Sequence, residues 1–183
     1  MLRKPGKSVA GNPIPLTGLV LLLVALGLQS APAAAIASQD ELAAAFNASS
    51  NNIFTATKAP ELEKLKATLQ CTVAPVENGL KVTATGIDPN LLLPDFATGK
   101  RFVIQVIIDS PVETPIEVYW LVQGAKGYDE SHAQIAPLKK GKNTIYFRID
   151  EPNVVDPIRY DPGGAPGDYV IESIIARSLK AVP

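Results

Sequence analysis

Side chains that could do nucleophilic or metal chemistry are scarce in this 183-residue sequence, which holds one histidine, His132, and one cysteine, Cys71. A nucleophilic cysteine or serine needs a nearby base, and only His132 could serve. No G-x-S-x-G, H-E-x-x-H, P-loop or cysteine-based metal motif is present. We therefore expect no catalytic residue, no metal ligand and no cofactor, and we expect that the chain is not an enzyme.

Tyrosine and acidic side chains indicate binding chemistry instead. Sugar sites combine an aromatic face with a few fixed polar groups. Tyr128, Asp129 and Glu130 follow two glycines in a loop-like stretch, where binding residues often lie. Tyr119 and Trp120 are adjacent in a predicted strand and so point to opposite faces. We expect Trp120 in the core and Tyr119 on the more exposed face, which makes Tyr119 a candidate ligand contact.

Arg159 and Asp161 form a second candidate group, with two interpretations. In the first, Arg159 pairs with Asp161, Asp156 or Glu130 and clamps the surrounding loop. In the second, the planar guanidinium and a carboxylate face solvent and hydrogen-bond vicinal sugar hydroxyls in pairs. The sequence favours the clamp and leaves the sugar-facing role open.

Acidic residues also allow two weaker alternatives to sugar binding, a calcium site and glycoside hydrolysis. A structural Ca²⁺ is possible at the Asp88 loop or in the loops between Asp156 and Asp161, although no EF-hand spacing supports it. Carboxylate pairs could also be nominated for glycoside hydrolysis, which needs two such groups at a defined separation. The candidates are Asp129, Glu130, Asp156 and Asp161, but any acidic protein offers such pairs.

The charge distribution argues against nucleic-acid binding. The formal net charge is −1, yet Arg3, Lys4 and Lys7 precede the first acidic residue, Asp40. Without them, 14 basic residues face 18 acidic ones. Clustered Lys and Arg supply most of the affinity for phosphate backbones, and this body lacks them.

The N-terminus has the order of a secretory signal peptide, which we place at residues 1–37. A basic stretch precedes an apolar run over residues 16–28 and then a segment of small residues. The run is shorter than the roughly 20 residues that span a membrane. Cleavage is possible after Ala35 or Ala37, and we prefer Ala37. The alternative is an uncleaved N-terminal anchor; otherwise the protein is periplasmic, cell-surface or secreted.

Residues 38–68 are predicted to be a short helical and linker lead-in. Ser38 and Glu41 match a capping box before a helix that reaches Phe46. The NASSNN stretch from Asn47 is typical of a flexible linker. After Pro60, either a short second helix or an extended segment fits the pattern.

Residues 69–183 have the pattern of an all-β protein, an antiparallel β-sandwich or jelly roll of about eight strands. Short runs rich in Val, Ile, Thr and Tyr alternate with Gly, Pro, Asn and Asp. Hairpin turns are predicted at residues 77–79 and 139–143. The run RFVIQVIID is apolar on both faces, so it should be central. Gly163 and Gly164 are expected to permit positive φ in the turn after Asp161.

Three longer segments, GIDPNLLLP from Gly86, GYDESHAQIAPLKKGKNTIYFRI from Gly127 and PIRYDPGGAPGDYVIESI from Pro157, follow a TATG strand. Together they resemble a β-sandwich module of exported bacterial proteins that also occurs beside surface-polysaccharide glycosyltransferases. The resemblance covers residues 80–176. It implies a galactose-binding-like or carbohydrate-module-like jelly roll, often non-catalytic, and it implies no particular sugar.

These observations predict an exported, non-catalytic carbohydrate-binding accessory module, monomeric or weakly associating. Its partner is expected to be a glycan or another exported protein; the latter is the second hypothesis, in which a sheet edge or loop end contacts that protein. A glycan-active hydrolase is the third. A concave face carrying Tyr119 or Tyr128 beside Arg or Asp would favour sugar, a flat apolar patch would favour protein, and a deep acidic cleft would favour hydrolysis.

Overall fold

The computed structural model describes residues 37–179, so the predicted signal peptide, its cleavage sites and the alternative anchor lie outside it, apart from Ala37. Two helices are present, α1 (Gln39–Asn47) and α2 (Ala59–Leu62), with a 3₁₀ turn at Glu130–His132. The strands are β1 (Asn52–Ala56), β2 (Lys66–Leu69), β3 (Cys71–Val76), β4 (Gly79–Ala84), β5 (Asn90–Leu92), β6 (Phe102–Ser110), β7 (Thr114–Val122), β8 (Ala133–Leu138), β9 (Gly141–Ile149), β10 (Val154–Asp161) and β11 (Gly167–Ser178). Within residues 37–179 no helix is long and apolar enough to cross a membrane.

The strands form two antiparallel sheets. The first sheet has the order β3-β4-β11-β6-β9, and β1 pairs with the C-terminal half of β11 beyond the end of β4. The second sheet has the order β2-β5-β10-β7-β8. Neighbouring strands in each sheet are mostly distant in sequence, as in a jelly-roll sandwich. The predicted all-β sandwich fold is therefore confirmed.

The core lies between the two sheets, where alternate residues of each strand point inward. In β9 the buried residues are Ile145, Phe147 and Ile149, as the alternation predicts. Trp120 contributes to the same core from β7. Each fully buried side chain of this size contributes about 1.5–3 kcal/mol relative to exposure, so the inward faces supply most of the stabilisation.

Strand β6 lies inside the first sheet, between β11 and β9, as predicted from its two apolar faces. Its inward face belongs to the core, and α1 packs over β6 and β9 on the other side. Leu42 and Phe46 of α1 are buried there. The helix begins at the predicted capping box, since Ser38 and Glu41 cap each other's backbone amides.

The structure has eleven strands in its described part instead of about eight. The three additional strands, β1, β2 and β5, have three to five residues each. Such short segments carry little periodicity, and they become strands because neighbouring strands offer backbone partners. The linker predicted from Asn47 is accordingly shorter than expected, because β1 begins at Asn52 and joins the first sheet. The sandwich therefore includes two strands, β1 and β2, that begin before residue 69.

The predicted hairpin at residues 77–79 is confirmed, since β3 and β4 pair directly across it. The predicted hairpin at residues 139–143 is wrong. That turn links β8 of the second sheet to β9 of the first, so it is a crossover between sheets. A short turn restricts how far two strands separate, but it does not decide whether they pair or enter facing sheets.

The prediction of positive φ at Gly163 and Gly164 is also wrong, because neither glycine adopts that conformation. Gly163 is needed for a close approach instead. A Cβ atom there would lie 2.4 Å from Cζ and the hydroxyl oxygen of Tyr169, which is buried. That hydroxyl donates to the carbonyl of Ala165, so the ring is fixed against the turn.

Candidate functional site

The candidate site lies on the outer face of the second sheet, where β7 and β10 run side by side. Their register places Arg159 opposite Tyr119 and Asp161 opposite Glu117. Trp120 and Tyr160 point the other way, into the core. The side chains brought together here form the Arg159 cluster: Asp88, Glu117, Tyr119, Glu130, Arg159 and Asp161.

Arg159 is the centre of this cluster. Its Nε and Nη2 atoms donate to the two carboxylate oxygens of Asp161, at 2.9 and 2.6 Å. Nη2 also donates to Oδ1 of Asp88 at 2.5 Å. The guanidinium carbon lies 4.7 Å from the centroid of the Tyr119 ring, which is within cation–π range. Of the three carboxylates considered as partners of Arg159, Asp161 is the one that pairs with it, and Asp88, which was not considered, is a second.

Tyr119 is not the exposed aromatic that we predicted. Only 8% of the residue is exposed, against 7% for Trp120 on the opposite face. Arg159 lies over its ring, and its hydroxyl donates to Glu117 and, at 3.5 Å, to Glu130. Burial, together with the bond to Glu117 and the negative charges nearby, raises the pKa of Tyr119 well above its usual value. The phenol therefore stays protonated and acts as a fixed donor.

Asp161 is the buried carboxylate of the cluster, with 4% of the residue exposed. Burial raises its pKa to about 6. The guanidinium of Arg159 acts in the opposite direction, and the negative charges of Asp88 and Glu117 add to the effect of burial. Asp161 also raises the pKa of Arg159, which thus stays charged. The pair is held together while its acidic partner is close to titrating at neutral pH.

The β7–β8 loop supplies the remaining predicted residues. Tyr128 reaches across to β10, where its hydroxyl donates to the carbonyl of Pro157 at 2.8 Å. This bond places its half-buried ring near Arg159. Asp129 is separate from the cluster, because its carboxylate accepts hydrogen bonds from the backbone amide and hydroxyl of Ser131. Five of the six candidates, all but Asp129, thus meet on one face.

Sequence reasoning missed three contributors to this face: Asp88 as an arginine partner, Asn90 and Glu117. The Asn90 side chain donates to the Asp88 backbone carbonyl at 3.0 Å and to Oδ1 of Asp161 at 3.4 Å. The alternation of β7 does place Glu117 on the face of Tyr119, but it gives no sign that Glu117 accepts the Tyr119 hydroxyl. Asp88 and Asn90 carry no local signal, because they approach Arg159 only once β5 pairs with β10.

The aspartates considered for calcium each have protein partners. Asp156 accepts hydrogen bonds from the backbone amides of Phe96, Ala97 and Thr98 and from the Thr98 hydroxyl. Burial alone would raise its pKa, but these bonds outweigh it and lower the pKa. Asp88 binds Arg159, as described. In the described part of the chain no three His, Cys, Asp or Glu side chains are grouped to hold a metal ion.

An apolar groove of about 480 Å³ lies at the edge of the same sheet. Pro115, Ile135, Pro137 and Leu138 are among the residues that line it, and 57% of Ile135 is exposed. This groove, and not the Arg159 cluster, is the kind of surface that the protein-partner alternative requires.

No protein-family model and no curated protein matches the sequence. Solved structures do match. The first is the CBM22-1 and GH10 modules of endo-1,4-beta-D-xylanase 10B from Clostridium thermocellum in complex with xylohexaose, at a TM-score of 0.58 and 10% identity, over 73% of this chain and 29% of that chain. A second is a xylan-binding domain from family 22 of carbohydrate-binding modules, at a TM-score of 0.53 and 14% identity. The match covers 73% of this chain and 99% of that domain. A third, the C-terminal family 22 module of Clostridium thermocellum Xyn10B, also gives a TM-score of 0.53 at 14% identity. The match covers 73% of this chain and 98% of that module.

The chain has the jelly-roll fold of carbohydrate-binding modules. The fold resemblance inferred from the GIDPN, GYDES and RYDPGG segments is thereby confirmed. The chain spans about 29% of the xylanase structure but nearly the whole length of the isolated modules. Identities of 10–14% show a shared backbone fold, and they assign no ligand to this chain.

Proposed function

We propose that this protein is an exported, non-catalytic carbohydrate-binding module that contacts its glycan with the Arg159 cluster. The observation that carries the proposal is the guanidinium of Arg159, held over the Tyr119 ring and braced by two carboxylates. Its Nε and Nη2 atoms bond those carboxylates, so its Nη1 group, in a fixed orientation, is the donor for sugar hydroxyls and binds them with little further loss of side-chain entropy. The comparisons support the proposal through the fold alone.

Exposure divides the cluster into supporting and contacting groups. The side chain of Asp161 is 6% exposed, whereas that of Arg159 is 19% and that of Asp88 48% exposed. Glu130 is also exposed. In this proposal Asp161 and Tyr119 orient Arg159, while Arg159, Asp88 and Glu130 meet the hydroxyls of the sugar. The ring of Tyr128 adds an apolar surface at the rim.

The state of the carboxylates supports a non-catalytic role. Hydrolysis needs one protonated acid and one carboxylate presented on either side of a bound glycosidic bond. Asp161 has the raised pKa that suits an acid, but it lies buried beneath Arg159. Glu117 is occupied by the Tyr119 hydroxyl. These groups therefore favour holding a sugar over cleaving one.

Binding of the protein to a glycan array, with and without added calcium, tests the function, followed by affinity measurements on the retained polysaccharide. Arg159→Lys keeps the charge and loses the planar fork, and we expect it to weaken binding by about 10- to 100-fold, the worth of one or two charge-assisted hydrogen bonds. The matched control is Arg101→Lys. Arg101 is exposed, lies just before β6 of the first sheet, and its Nε is 3.6 Å from Oδ1 of Asp150.

Two results would contradict the proposal. If folded Arg159→Lys binds as well as the parent protein, the outer face of the second sheet is not the site. If the folded parent protein retains no glycan, the module is not a glycan binder, and the apolar groove with a protein partner becomes the better hypothesis.

Export is supported by the basic, apolar and small-residue order of residues 1–37. The mass of the mature protein, isolated from its own cells, tests it directly. A chain beginning at Ile36 or Ser38 is the expected result, and an intact N-terminus on a membrane-associated protein would establish the anchor instead.

A further inference from the structure

Strand β9 is the edge strand most exposed to pairing with another chain. It has nine residues, contains no proline and pairs with β6 without a register shift, from Ser110 opposite Gly141 to Phe102 opposite Ile149. The other edges are interrupted or short. β3 contains Pro75, β8 contains Pro137, β2 has four residues, and β1 has five residues with a register shift. Long, regular edges invite strand addition, and proteins protect them by specific means.

The free side of β9 is closed at two successive positions by glutamine side chains. Gln39 of α1 bonds both backbone groups of Tyr146: the Tyr146 amide donates to Oε1 at 2.8 Å, and Nε2 donates to the Tyr146 carbonyl at 3.1 Å. Gln134 of β8 does the same two residues later. The Arg148 amide donates to its Oε1 at 3.0 Å, and its Nε2 donates to the Arg148 carbonyl at 2.5 Å.

Each glutamine carboxamide thus makes the paired donor and acceptor bonds that a peptide group of an adjacent strand would make. In an antiparallel sheet, alternate residues turn their amide and carbonyl groups to the same side, so Lys142, Thr144, Tyr146 and Arg148 present theirs outward together. The glutamines occupy two of these four positions, both in the C-terminal half of β9. The glutamines come from different elements, a helix outside the first sheet and an edge strand of the second.

The helix that carries Gln39 is held in this position by packing. Phe46, on the same helix, lies with its ring centroid 5.6 Å from that of Tyr146, and the guanidinium carbon of Arg177 lies 4.0 Å from the Phe46 centroid. The carboxamide therefore meets the β9 backbone as part of a fixed helix, and not as a mobile surface side chain.

We propose that Gln39 and Gln134 act together as substitutes for a neighbouring strand and prevent two copies of the chain from pairing through β9. A second copy is the natural occupant, because β9 can pair with itself antiparallel about a two-fold axis and form a closed dimer. A register centred on Tyr146 would place Lys142, which pairs with Glu172, opposite Asp150 of the second copy, which pairs with Arg148. Opposite charges would thus meet at the ends of the paired strands. This inference is independent of glycan binding.

The test is the association state of Gln39→Ala/Gln134→Ala, measured by light scattering over a wide range of protein concentrations. The parent protein is expected to stay monomeric, and the double variant to form a dimer as concentration rises. Gln123→Ala is the matched control, since its backbone amide bonds Asn153 on the β7–β10 side, and it should stay monomeric. Adding Thr144→Pro to the double variant should restore the monomer, because it removes an outward amide of β9.

Hydrogen exchange of the Tyr146 and Arg148 amides gives a second measurement that needs only the single variants. Each loss of a carboxamide should speed exchange at its own partner amide by about tenfold, the worth of roughly one hydrogen bond. A folded double variant that stays monomeric, or unchanged exchange in the single variants, would overturn the proposal. So would a dimer that persists in the Thr144→Pro variant.

Discussion

Replacing Asp161 by asparagine should remove a pH dependence of folding that the Arg159 cluster creates. Asparagine keeps the shape of the side chain and can still accept from Arg159, but it cannot ionise. The folded protein holds the pKa of Asp161 at about 6 because burial outweighs the attraction of Arg159. In the unfolded chain the pKa has its ordinary value of 3.8.

The sign of the effect follows from proton binding. Because the folded state binds the proton more tightly than the unfolded chain, the stabilisation from this group is fully present below its unfolded pKa. It is lost as the pH rises through its folded pKa. A difference of about two pKa units corresponds to about 3 kcal/mol in the free energy of unfolding. The parent protein should therefore lose about 3 kcal/mol relative to Asp161→Asn between about pH 3 and pH 7.

Urea unfolding at several pH values measures this difference. Asp129, Asp156 and Asp168, whose pKa values are lowered, act in the opposite direction, but both proteins contain them and their effects cancel. Asp95→Asn, at an exposed carboxylate, is the control and should show no such trend. A constant difference between parent and variant across the range would refute the argument. A difference of opposite sign would mean that the ion pair with Arg159 outweighs burial.

Two further predictions concern the core and the turn after Asp161. The hydroxyl of Tyr160 is buried without a hydrogen-bond partner among residues 37–179. Tyr160→Phe should therefore raise the free energy of unfolding, measured in urea, by about 1 kcal/mol. A decrease of similar size would mean that a buried water bonds this hydroxyl. Gly163→Ala should cost about 2 kcal/mol or more, because its Cβ would overlap the fixed ring of Tyr169, whereas Gly124→Ala, at φ +88° in open space, should cost only about 1 kcal/mol. Equal melting temperatures for the two glycine variants would contradict the packing argument.

The turn at residues 139–143 shows where sequence reasoning reaches its limit. Its lysines, glycine and asparagine are typical of a hairpin, and both flanking runs alternate correctly. The structure nevertheless assigns β8 to one sheet and β9 to the other. The local pattern determines that the chain reverses, but the partners of each strand depend on which apolar faces meet in the core.

The burial of Tyr119 also depends on strand pairing that the local sequence pattern does not determine. Alternation correctly placed Tyr119 on the face opposite Trp120, and Glu117 and Gln123, which alternation puts on the same face as Tyr119, favoured exposure. Burial came from Arg159, which β10 brings alongside β7, and from Glu130 in the loop that follows β7. The pairing of these strands is a long-range event that no window of the sequence contains.

The sequence alone determined the all-β class, the capping box at Ser38, and the inward and outward faces of the long strands. These depend on neighbours within a few residues, where side-chain period and turn chemistry act directly. Tertiary structure alone decided the recruitment of β1, β2 and β5, the approach of Asp88 to Arg159, and the closing of β9 by Gln39 and Gln134. Each of those joins groups far apart in the chain, and such contacts form only when burial of the two apolar sheet faces brings them together.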